Sequence, residues 1–79
     1  MNTETQQMLH RIRFALGEVA AKDDNDILAN AASALNVRLE GVGTTFGMKL
    51  SDLSDVDRQI IRYALAEQEA KKPFALIAA

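Results

Sequence analysis

The chain has 79 residues and no cysteine. That excludes disulfides and thiolate metal sites, and it fits a reducing, cytoplasmic setting. Histidine occurs once, as His10. A triad or an imidazole metal site needs partners within bonding reach. The helical neighbours Gln6, Gln7, Arg13 and Phe14 include no carboxylate. No apolar run approaches the ~20 residues of a membrane span. The opening residues 1–7 have neither a basic nor an apolar stretch, so no signal peptide is expected. No sign of charge dominates either: nine bases against eleven acids give a net charge of −2. That balance serves solubility and weighs against nonspecific nucleic-acid binding.

The scarce residues punctuate a helical pattern. One helix is expected over about 4–21, opened by Thr3 and Gln6 as a capping box. Met8, Leu9, Ile12, Ala15, Leu16, Val19 and Ala20 share one face at about 100° per residue. His10, Phe14, Gly17 and Ala21 lie opposite, and a phenyl ring on that side points to a contact. The run Lys22-Asp23-Asp24-Asn25-Asp26 breaks the helix, and Asp24 or Asn25 caps a second over about 26–35. Its apolar positions are Ile27, Leu28, Ala31, Ala34 and Leu35, with Asn36 as a left-handed stop.

Three of the four glycines fall at 41, 43 and 47. Alternation in Val37-Arg38-Leu39-Glu40 and again at Phe46, Met48 and Leu50 fits a short β-hairpin over 37–50. An ordered loop anchored by Val42, Phe46 and Met48 fits equally, because an isolated hairpin is marginal. Ser54 caps the last helix, over about 54–71, with Leu53, Val56, Ile60, Ile61, Ala64 and Leu65 buried and Tyr63 to one side. The one proline, Pro73, is expected to stop it. The fold class is thus mainly α, a single three-helix domain over 1–79, with α+β as the alternative.

Chemistry is sought and not found. The acidic cluster Asp23, Asp24 and Asp26 suggests a calcium loop, but the alternation from Asp24 to Asp26 meets Leu28 where a ligand is due, and no glycine follows. Gly41-Val42-Gly43-Thr44-Thr45-Phe46-Gly47-Met48-Lys49 misses the dinucleotide pattern at Phe46 and the phosphate-loop pattern at Met48. No serine or threonine has a base placed by local spacing. The expectation is a non-enzymatic protein with no catalytic residue, cofactor or metal.

What remains is surface. The segment Pro73–Ala79 is almost wholly apolar, and a small domain has little apolar surface to spare. Phe14, Tyr63, Phe74, Leu76 and Ile77 are therefore the candidate partner-binding residues. The tail is expected to dock on its own core, on a second copy, or on a foreign protein. Its end also resembles the Leu-Ala-Ala type of degradation tag read by bacterial unfolding proteases, with the leucine displaced by one position. The leading reading is a small protein-binding module that occludes a larger protein, as compact inhibitors from mobile elements and bacteriophages do. A homodimer through Phe14 and the tails fits the same features. A DNA-binding regulator is the alternative: arginines 11, 13, 38, 58 and 62 could meet phosphate, but each has acids nearby in sequence. A structural subunit of a larger assembly is the third reading.

Overall fold

The computed structural model describes the backbone of residues 2–78 and the side chains of residues 2–70. Three helices, α1 (Thr3–Lys22), α2 (Asp26–Glu40) and α3 (Asp55–Ala78), make up the domain. There is no strand among the described residues, so the hairpin alternative is set aside. Residues 41–47 form turns and bends, and a single 3₁₀ turn follows at Leu50–Asp52.

Local hydrogen bonds decide where each helix begins. Asn2, not Thr3, caps α1: its Oδ1 accepts from the Thr5 N–H at 2.7 Å. The Asn25 Oδ1 accepts from the N–H groups of Ile27 and Leu28, satisfying two donors that the first turn of α2 leaves open. Asp23 in turn accepts from the Asn25 N–H at 2.8 Å. Only residues 23–25 separate the helices, so α1 and α2 form a tight helical hairpin.

Helix α2 runs five residues past the expected end at Leu35. Asn36 is not a left-handed stop, since no residue other than glycine has positive φ among the described residues. Its side chain accepts a hydrogen bond from Arg13 Nε on α1 at 3.2 Å. Continuing the helix carries Leu39 onto the core face, one turn beyond Leu35. The buried set is Ala32, Leu35 and Leu39, while Ile27 and Ala34 face outward. Burial of the leucines, worth roughly 2 kcal/mol each, outranks the register centred on Ile27 and two alanines.

The core is Ala15, Leu16 and Val19 from α1, that set from α2, and Ile60, Ile61 and Ala64 from α3. Helix α1 packs against both of the others, whereas α2 and α3 meet less extensively. The molecule is only 19 Å thick along its shortest axis, about two helices, so every helix keeps an outward face. Met8 and Val56, expected in the core, are largely exposed. Val56 belongs to the first turn of α3 and Met8 to the second turn of α1, both near the N-terminal ends of their helices.

Ser54 and Asp57 cap α3 reciprocally. The Asp57 N–H donates to Ser54 Oγ at 3.1 Å, and the Ser54 N–H donates to Asp57 Oδ2 at 3.2 Å. The same carboxylate receives both terminal nitrogens of Arg38, at 3.2 and 3.1 Å. This fork pins the start of α3 to the last turn of α2. Helix α3 then continues through Pro73 to Ala78, where the sequence suggested a stop. The proline ring suits helical φ and deletes one backbone bond, to the carbonyl of Glu69, while the alanines and leucine after it favour helix. The side chains of Phe74, Leu76 and Ile77 lie outside the described residues.

The Arg38 fork holds the Asp57 carboxyl below the usual carboxylate range, assisted by the Ser54 N–H and opposed by burial. A depressed folded-state pKa contributes stability above the unfolded value of about 4, lost as pH falls through the folded value. Replacement Asp57→Ala should cost about 1–3 kcal/mol in urea unfolding at neutral pH. The gap to the parent protein should narrow as pH drops below about 4.

Candidate protein-binding surface

Among the described residues, two aromatic rings, Phe14 and Phe46, are left to solvent by this packing. Phe14 lies on the outward face of α1 and is 59% exposed. It forms part of a shallow groove between α1 and α3, together with His10, Arg11, Leu65, Gln68 and Glu69. Leu65, expected to be fully buried, is half-buried and forms the other apolar wall. Arg11 and Glu69 span the groove at 4.0 Å, both more than half exposed, so the pair contributes little to stability. Gly17, grouped with Phe14 on the outward side by helical spacing, faces Asn36 of α2. Ala21 remains exposed.

Phe46 is 99% exposed, the most exposed large apolar side chain described. Sequence reasoning assigned it to anchor the 41–49 segment, because it alternates with Met48 and Leu50. Val42 and Met48 do pack on the core; Phe46 does not. The cause is a backbone closure. The Gly41 carbonyl accepts from both the N–H and the Oγ1 of Thr44, at 3.0 and 2.7 Å, and Gly43 takes φ 93°. Gly47 then returns against Gly41 so closely that a Cβ there would fall 1.7 Å from the Gly41 oxygen. No side chain fits at that position, so the loop closes only as built. Its closure carries the adjacent Phe46 ring into solvent. The available sequence signal was the pair of glycines bracketing an aromatic residue, Gly43 and Gly47.

Tyr63 does not join this surface. It is half-buried against the core, and its hydroxyl donates to Asp23 Oδ2, tying α3 to the end of α1. That hydrogen bond, with a second from the Asn25 N–H, draws the Asp23 carboxyl down. The tyrosine is pushed up to about 12, first by the bond to Asp23, then by burial and by the charges of Asp23 and Glu67. The structure therefore brings Phe14 together with Leu65, separates Tyr63 from them, and adds Phe46. His10 is exposed beside Phe14, and no carboxylate is bonded to it among the described residues.

The acidic turn has local uses: Asp23 and Asn25 shape the α1–α2 connection. No group of three or more potential metal ligands converges among the described residues. No helix in the described part is long and apolar enough to cross a membrane. No protein-family model matches the chain, and neither the curated proteins nor the solved structures contain a significant match.

The single tyrosine offers a direct check on the α1–α3 tie. Its absorbance titration should have a midpoint near 12, falling towards about 10 in Asp23→Asn, the value of an unperturbed phenol. The stability tied to a raised pKa is present below pH 10 and lost as pH rises towards 12. Melting temperatures taken across that window should decline in the parent protein and flatten in Tyr63→Phe.

Proposed function

We propose that the chain is a small non-enzymatic binding module that acts by covering part of a larger protein. The observation that carries this reading is Phe46, fully exposed on a loop closed by the contact of Gly41 with Gly47. An aromatic ring held on a closed loop loses little conformational freedom on binding, and such residues dominate interface energetics. Phe14 and Leu65 supply a second apolar contact, framed by the charged Arg11 and Glu69. An apolar centre with a polar rim is the usual anatomy of a protein interface. The expected mode is occlusion, as in compact inhibitors from mobile elements and bacteriophages. Such a protein needs surface and affinity but no chemistry of its own.

A DNA-binding reading draws on one specific feature. Arg58 and Arg62 stand one turn apart on the exposed face of α3, with no ion pair among the described residues, unlike Arg11, Arg13 and Arg38. Asp55 and Glu69 lie on the same face, and the net charge is negative. Two cations among those acids make a weak phosphate surface.

The test is capture from bacterial lysate by the tagged chain, with Phe46→Ser and Phe14→Ser beside it. The parent protein should retain a near-stoichiometric protein through a high-salt wash. Phe46→Ser should lose it by roughly tenfold or more, the effect of removing a central aromatic anchor. Equal retention by all three proteins would overturn the assignment of this surface. Recovery of nuclease-sensitive, salt-labile material alone would favour DNA.

A further inference from the structure

The outward face of α2 is chemically unlike those of its neighbours. Between Asp26 and Arg38 the helix has no charged residue at all. Its exposed positions are Ile27, Asn30, Ser33, Ala34 and Val37, with Ile27 81% and Val37 64% open to solvent. A solvated helix face ordinarily carries charge. Isoleucine and valine are also poorer helix formers than lysine, glutamate or alanine. Neither the helix nor the core of this chain explains them. The exposed faces of α1 and α3, by contrast, carry Arg11 or Arg58, Arg62 and Glu69.

The order of these residues is self-complementary. In an antiparallel pair of α2 helices related by a two-fold axis, contacts are reciprocal. Placing that axis level with residue 32 sets Ile27 against Val37 of the second copy and Asn30 against its Ala34. The same register sets Asp26 against Arg38. Arg38 grips Asp57 from one side, yet its side chain remains 49% exposed and a guanidinium has donors to spare. Asp26 forms no ion pair among the described residues. The small side chains of Asn30, Ser33 and Ala34 at the centre let the helix axes approach to about 8 Å. We propose that this face is the interface of an antiparallel homodimer, with α2 packed on α2 of a second copy.

The palindrome is what selects a second copy over a foreign protein, because one register satisfies both apolar ends and both charge pairs. One helix face buries less than the ~1,200 Å² of standard complexes. The dimer is accordingly expected at the weak, concentration-dependent end of protein association. The proposal stands independently of the Phe46 surface, which the α2 interface does not use.

Sedimentation equilibrium from about 10 μM to about 1 mM spans the range such a small interface demands. The parent chain should pass from monomer to dimer across it. The single variants Ile27→Glu and Val37→Lys suit the helix dipole at their ends, so circular dichroism should be unchanged. Each should weaken association by about tenfold or more, since each places an unpaired charge against an apolar residue. The double variant opposes the new charges across the axis, and its association should exceed that of either single variant. Because the chain has no cysteine, register can be read by mixing Asn30→Cys with Ala34→Cys chains. The mixed disulfide should form in preference to either homodisulfide. A monomer at every concentration, association indifferent to Val37→Lys, no recovery in the double variant, or predominant homodisulfides would overturn the proposal.

Discussion

The carboxylate of Asp57 closes the N-terminal cap of α3 and, through the fork from Arg38, ties that cap to the last turn of α2. The hydrophobic core supplies most of the stability: a buried leucine is worth roughly 2 kcal/mol, and Leu16, Leu35 and Leu39 are fully enclosed. But apolar burial is non-directional and tolerates several ways of laying α3 across α1. The connection between α2 and α3, residues 41–54, is too irregular to dictate the crossing by itself. A buried anion is different. At 8% exposure Asp57 must find donors, and it finds them only where Ser54 and Arg38 converge. That requirement fixes the origin of α3, and the Tyr63–Asp23 bond fixes a point two turns along. Between them they set which side of α3 faces α1, and therefore that Leu65 lies beside Phe14.

How much of this could be read from residues alone depends on the range of the interaction. The face of α1 was legible because Ala15, Leu16 and Val19 repeat at helical spacing and need nothing beyond it. The Ser54 cap was legible because capping is a local matter, three residues long. Helix α2 was misread at both its phase and its end. Asn36 and the alternation from Val37 to Glu40 look like a stop and a strand until Arg13 and Asp57 are known to meet Asn36 and Arg38. Those partners lie 23 and 19 residues away, and no window of sequence pairs them.

The candidate surface shows the same division. Phe14 was marked out by its place opposite the α1 core face, and the structure leaves it largely open. Phe46 was missed because alternation with Met48 suggested inward packing. What overrides the alternation is contact between the backbones of Gly41 and Gly47, an interaction that leaves only glycines in the sequence. Tyr63 was marked as surface for want of a visible partner, and Asp23, forty residues away, turns out to hold it. A thin three-helix arrangement gives each helix an outward face. Here those faces differ: Phe14 on α1, an uncharged strip on α2, and mixed charge on α3.

The proposed function rests on Phe46 standing free of the core. Equilibrium unfolding of Phe46→Ser against the parent protein tests it most directly. A fully exposed side chain predicts a change within about 0.5 kcal/mol, as for other surface substitutions. A loss of about 2 kcal/mol or more, typical of emptying a core position, would mean that the ring is buried in solution, and would contradict the account.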